Sequence, residues 1–161
     1  MTKKLILALT SRTGLIAMSV LFALLMLQGA WDILEDIRAI DVHQHAMEEI
    51  LEGLGTILVA YGVALEERET LLKFLGVYPD ALTPQQARVD HHCHGYGLSL
   101  LLLGLFAEVS VYLIRMPDIN TADFDPALIV FATLLCLVGA VHLGKLSWLL
   151  WRDPELATTT A

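Results

Sequence analysis

Two glutamates stand where the sequence is otherwise apolar, Glu52 within Ile50–Leu65 and Glu108 within Gly95–Ile114. A carboxylate inside a bilayer costs ~2.5–3.5 kcal/mol on insertion scales, so an intramembrane acid is a functional candidate by default. The surroundings of Glu52 are spaced: His45, Glu49, Glu52 and Thr56 follow at steps of four, three and four residues. At about 100° per residue these four fall within an arc of about 60°, a single helical stripe. Gly97, Leu101, Gly104, Glu108, Tyr112 and Arg115 likewise share one face of a later helix. Glu52 lies seven residues past His45 and Glu108 seven before Arg115. In antiparallel helices each would sit ~10 Å below the same membrane surface.

This outer cluster, His45, Glu49, Glu52 and Glu108, offers carboxylate oxygen and imidazole nitrogen, a donor set suited to iron, manganese or zinc. Four-helix carboxylate centres use Glu and His at i,i+3. Here His45 and Glu49 are at i,i+4 and no ExxH pair occurs, a departure from the di-iron pattern. Two level carboxylates could instead share a proton and form part of a proton or cation path. The alternative without a function is equally concrete: Glu49 interfacial, Glu52 snorkelling to the head groups, Glu108 paired with Arg115 or bonded to Tyr112. Gln28, Asp32 and Glu35 form a third, shallower polar stripe.

A second cluster lies in Asp90–His91–His92–Cys93–His94. His91 and His94, at i,i+3, share a face. Leu65 is expected level with Gly95 in a helical hairpin, which puts Glu66 and Glu69 opposite His94 and His91. Two His and two Glu could hold one divalent ion. The plain alternative is an interfacial histidine run, stabilised by Glu66, Glu67, Glu69 and anionic head groups. A b-type haem needs two facing axial ligands. His45 is expected at one membrane face, His94 at the other, and His142 ~13 Å inside that second face, so no pair is level and haem is not expected. His142 is read as a buried histidine hydrogen-bonded across the bundle.

The elements that carry these residues are apolar blocks. Residues 14–31 contain no formal charge, 95–114 contain Glu108 alone, and 127–144 none, with Lys145 ahead of a further apolar run to Trp151. Each is long enough to span a bilayer. Residues 50–65 form a weaker block with Glu52 inside it. Four spans follow, at about 14–31, 50–65, 95–114 and 127–150. Start and stop signals refine them. Asp41 with Gln44 is a variant capping box, and Thr83–Pro84–Gln85–Gln86 and Asp125–Pro126 are helix starts. Gly76 with Pro79, and Asp153–Pro154, are stops. Residues 66–75 and 84–94 thus become helical overhangs of ~15 Å on one side. Gly55 and Gly62, seven apart, read as packing positions, as do Gly97 and Gly104.

With the amino terminus inside, Lys3, Lys4, Arg12, Arg68, Lys73, Arg88, Lys145 and Arg152 face the cytoplasm, and only Arg38 and Arg115 face out. That bias predicts cytoplasmic termini. The expectation is an all-α, integral membrane four-helix bundle, up-down-up-down, in the inner (plasma) membrane. A signal peptide over the first block is disfavoured, because Gln28 spoils the small-residue cleavage pattern and 18 apolar residues is long for its core.

Composition agrees. Of 161 residues 56% are hydrophobic and 17% charged, where soluble domains carry about 25% charged residues. Such a chain is not disordered, and a net charge of −8 argues against binding nucleic acid. Sorted by side, the outer segments hold ten acidic against two basic residues, the inner seven against eight. The acidic surplus therefore faces outward. Two cysteines without CxxC spacing make no zinc ribbon, and there is no P-loop, GxGxxG, HExxH or GxSxG. The leading expectation is a membrane protein that binds a divalent metal ion or relays a cation or proton through its Glu/His cluster. The next is a non-catalytic accessory subunit or homo-oligomer within a larger membrane complex. A metal-dependent membrane oxidoreductase is third.

Overall fold

The computed structural model describes residues 8–36, 40–76, 78, 84–116 and 124–152, and among these it is helical with no strand. The helices are α1 (Arg12–Asp36), α2 (Ile40–Glu66), α3 (Arg68–Phe74), α4 (Pro84–Ile114) and α5 (Asp125–Arg152). Three stretches, Arg12–Asp36, Gln86–Ile114 and Asp125–Arg152, are long and apolar enough to cross a membrane. The expected span at 50–65 lies within α2, which is not among those three; Glu48, Glu49, Glu52 and Glu66 lower its hydropathy.

Local chemistry sets the ends. Ser11 caps α1: its hydroxyl accepts from the Gly14 amide at 3.1 Å, satisfying one of the donors a helix start leaves open. Arg12, one residue on, reaches the far end of α5, where its guanidinium donates to the carbonyls of Leu150 and Trp151 (3.0 Å to the latter). A cation on unsatisfied C-terminal carbonyls also complements the helix dipole. The helix expected to run unbroken to Leu75 instead breaks at Glu67 and resumes as α3. Gly76 then ends α3 in the left-handed region at φ 63°, as the glycine signal predicts. Gln44, expected to reach back toward its own helix start, donates to Asp125 of α5 at 2.9 Å instead. The Thr83 cap and the Pro79 and Asp153–Pro154 stops lie outside the described residues.

The core repeats every seven residues on each long helix. Ser19, Met26 and Ile33 of α1 are buried, as are Leu51, Leu58 and Leu65 of α2. Cys93, Leu100, Ala107 and Ile114 continue the pattern in α4, and Ile129, Cys136, Leu143 and Leu150 in α5. A 3.5-residue repeat is the geometry of left-handed helix packing. The most extensive pairing is α2 with α4, followed by α5 against both α1 and α4. At the α2–α4 seam the backbones touch. A Cβ on Gly97 would lie 2.5 Å from the Glu66 amide nitrogen, one on Gly62 2.6 Å from that of Leu101, and one on Gly104 2.8 Å from the Gly55 carbonyl. The glycines seven apart on each helix are thus packing positions, as expected. Because lipid tails are as apolar as leucine, such close packing, not apolar burial, holds membrane helices together. Outward-facing Leu24, Phe106, Val141 and Trp148 are more than half exposed, a surface suited to lipid.

The contacts define two ends. Thr10, Arg68, Asp90 and Trp151 mark one, here the Arg68 end; Glu48, Glu52, Arg115 and Asp125 mark the other, the Arg115 end.

Candidate functional site

At the Arg115 end, the stripe foreseen on α2 exists but its partners differ. Arg115 donates to Glu52 at 2.7 Å and to Glu48 at 3.3 Å. These two bonds, Glu52 first, raise the Arg115 guanidinium above its usual range. Glu48 is the buried acid, its side chain only 4% exposed, and it was absent from the candidates because the stripe counted from His45 passes beside it. The signal was its adjacency to Met47 and Leu51, both fully buried. Glu49, a predicted ligand, is exposed. His45 lies 3.6 Å from Glu48 with its ring almost entirely in the open. Glu108 pairs with neither Arg115 nor Tyr112: it accepts from Thr56 at 2.7 Å and rests on Gly55. Glu108 therefore matches Thr56, one helical turn past Glu52, and the two glutamates are not level. Gln28 bonds Asp32 within its own helix at 2.9 Å, so the third stripe does not join. Glu48 and Glu52 thus share one arginine, which neither Glu49 nor Glu108 reaches. Replacing Arg115 by Gln is expected to lower the unfolding temperature of the solubilised protein, and adding Glu48→Gln to recover part of that loss. Equal unfolding temperatures for wild type and Arg115→Gln would contradict the pairing.

At the Arg68 end the second cluster assembles. Glu66, Glu69, His91 and His94, the four residues proposed to face one another, all line one cleft of about 420 Å³ between α2–α3 and α4. Leu65 and Ala87 supply apolar wall. His94 Nδ1 lies 3.6 Å from Glu66 Oε1. Glu69 accepts from Lys73 at 2.6 Å one turn on; that bond and the adjacent charge raise the lysine's proton affinity. The break at Glu67 lets α3 swing Glu69 onto the cleft wall.

The floor is a fixed ion pair. Arg68 meets Asp90, whose other oxygen accepts from the Tyr78 hydroxyl at 3.0 Å. Arg68 also donates twice to the Thr10 carbonyl, at 2.9 and 3.2 Å. Burial pulls the Arg68 guanidinium below its usual range, the cost of desolvating a cation. Arg68 and Asp90 neutralise each other and Lys73 offsets Glu69, so Glu66 is the acid of the cleft without a lysine or arginine partner among the described residues. Neither Arg68 nor Tyr78 was singled out from sequence, and Asp90 only as the start of the histidine run. Among the described residues no group of three or more His, Cys, Asp or Glu side chains is placed to hold a metal ion.

His142 departs from expectation. Its Nδ1 bonds the Val138 carbonyl of its own helix at 2.9 Å, and its ring meets Tyr96 edge-on at 5.9 Å. With His92 it lines a second cleft of about 330 Å³ between α4 and α5. His142 therefore borders one cavity with His91 and His92, whereas counting depth from Trp151 places it ~13 Å inside the face expected for His94. Counting from a helix end ignores how far that end projects; α5 extends to Trp151, level with Arg12.

A helical chain with three membrane-length apolar helices and a polar cleft at one end has the makings of a membrane protein. No protein family, curated protein or solved structure matches it.

Proposed function

We propose that the chain is a four-pass inner-membrane protein, its helices alternating in direction and both termini cytoplasmic, that binds a divalent transition-metal cation in the cleft at the Arg68 end. Zinc, iron and manganese all suit a mixed carboxylate–imidazole set. The observation that carries the reading is that Glu66, Glu69, His91 and His94, from α2, α3 and α4, line one cleft. Glu66 and His94 form its nucleus. The ring of His94 is 63% exposed, free to turn toward an ion. For α2 as the fourth span, support comes from its 27-residue length, its glycine seam with α4, and a chargeless run from Gly53 to Leu65. The basic residues clustered near the Arg68 end favour the cytoplasmic side for the cleft.

Binding is favoured over transfer across the membrane. Glu108 and His94 are 14 residues apart on α4, ~21 Å along the axis, and the seam between them is Gly97, Leu101 and Gly104. Those three positions carry no titratable side chain to relay a proton or a cation.

Zinc titration of the purified, solubilised protein tests the reading. One site per chain is expected, weakened at least about tenfold by Glu66→Gln or His94→Gln, since each removes a direct ligand (about 1.4 kcal/mol per tenfold). Glu52→Gln should leave it unchanged. Loss of binding in Glu52→Gln with retention in His94→Gln would move the site to the other end.

One observation favours a second reading, a non-catalytic subunit or homo-oligomer. Thr56 is exposed and Glu108 only partly covered at the rim of the seam. A partner helix carrying a donor would relieve the cost of an acid beside lipid. If light scattering finds the protein monomeric, with or without Glu108→Gln, that reading fails.

A further inference from the structure

We propose that the second cleft, between α4 and α5 at the Arg68 end, is a binding site for the phosphate of an anionic phospholipid. Its polar lining is His91, His92, Tyr96, Ser99, His142 and Lys145, with no acidic side chain among them. It therefore differs in sign from the neighbouring cleft, with His91 as the shared wall. Lys145 is exposed and supplies a permanent positive charge at the rim. The Val138 carbonyl can only accept, so His142 spends its Nδ1 proton within its own helix and forms wall, not a donor, of the cleft. The Ser99 hydroxyl donates to the Gly95 carbonyl at 3.1 Å, which leaves the Lys145 ammonium and the Tyr96 hydroxyl as the donors for a phosphate oxygen.

The surroundings favour a lipid over a free ion. One heptad from Gly95 and Ser99, away from the Arg68 end, stand Leu102 and Phe106, 47% and 57% exposed. One heptad from Lys145 in the same direction stands Val138, 43% exposed. The basic cleft thus leads onto an outward apolar groove of both helices, as a headgroup leads into acyl chains. Trp148 and Trp151, 61% and 73% exposed, place this end of α5 at the membrane–water boundary, where aromatic side chains concentrate. Basic pockets between membrane helices at this level are where anionic headgroups bind. The proposal does not depend on cation binding next door.

Native mass spectrometry of the protein released from micelles containing equal phosphatidylglycerol and phosphatidylcholine tests it. Wild type should retain phosphatidylglycerol preferentially, and Lys145→Gln should reduce that preference about fivefold, the effect of one near-surface lysine. Lys145→Arg should keep it, and Lys73→Gln, outside the cleft, should leave it unchanged. Equal retention of the two lipids by wild type would overturn the proposal. So would equal losses in Lys145→Gln and Lys73→Gln, which indicate diffuse attraction, or inorganic phosphate displacing the retained lipid at millimolar concentration, which indicates a free-ion site.

Discussion

Arg68→Ala is expected to destabilise the solubilised protein by about 3–5 kcal/mol, the usual cost of stripping one partner from a buried ion pair. The side chains of Arg68 and Asp90 are only 11% and 12% exposed. Without the guanidinium, Asp90 keeps the Tyr78 hydroxyl alone, and the Thr10 carbonyl loses two donors. An unpaired carboxylate at the cleft floor, beside the buried Val89 and Cys93, is poorly compensated for the lost charge. Asp90→Leu should cost a similar amount, for the mirror-image reason. The double variant Arg68→Met with Asp90→Leu should be more stable than either single one, because neither charge is then left behind. Denaturant titration followed by far-ultraviolet circular dichroism reads all three. Additive losses in the double variant would show that the two residues are not a pair. Lys73→Ala, at an exposed ion pair on the same cleft, should leave the midpoint in place.

Gly97→Leu is expected to abolish the folded state, and Gly97→Ala to cost about 1–3 kcal/mol, the range for overpacked cores. Two effects compete at this position. Alanine is the better helix former by about 0.8–1.0 kcal/mol. Against that, its Cβ would meet the Glu66 nitrogen at 2.5 Å and the Gly62 carbonyl at 2.7 Å, both backbone atoms that cannot rotate away. Separating α2 from α4 would loosen the whole seam, from Gly55–Gly104 to Gly62–Gly97, so the clash outweighs the propensity. Gly95 is the internal control: a Cβ there meets nothing within 4 Å. Gly95→Ala should be neutral or gain up to about 1 kcal/mol by propensity alone. Equal behaviour of the two alanine variants would contradict backbone contact at the seam. Displacing α4 would also move His94 away from Glu66, so the seam sets the geometry of the cleft.

Much of the helical layout was legible because bilayer length and glycine spacing are properties of sequence alone. Gly55, Gly62, Gly97 and Gly104 could be read as contacts without coordinates, since a missing side chain every seven residues has few other uses in an apolar helix. The approach of His94 to Glu66, with Glu69 and His91 on the same cleft, was legible because a hairpin fixes which residues are level. The Arg115 end was misread for a physical reason. A polar stripe reports which residues share a face, not whether that face points inward, and the stripe from His45 to Thr56 runs along a rim. Glu48, one residue before the exposed Glu49, turns inward with Met47 because Arg115 arrives from a helix 67 residues on. That long-range choice leaves no local trace. The tertiary partners of Gln44, His142 and Arg68 were hidden in the same way. The heptad core, by contrast, was present in the sequence as Leu51, Leu58 and Leu65, obscured by equally apolar residues facing lipid.

The proposed cation in the cleft between α2–α3 and α4 rests on Glu66 and His94 as ligands. Visible absorption of the protein loaded with cobalt(II), a coloured substitute for zinc, tests it most directly, because its bands report the donor atoms. One equivalent is expected, with an imidazole-containing spectrum that changes in His94→Gln and Glu66→Gln and persists in Glu52→Gln. A spectrum of free aquated cobalt, the same in wild type and in His94→Gln, would contradict it.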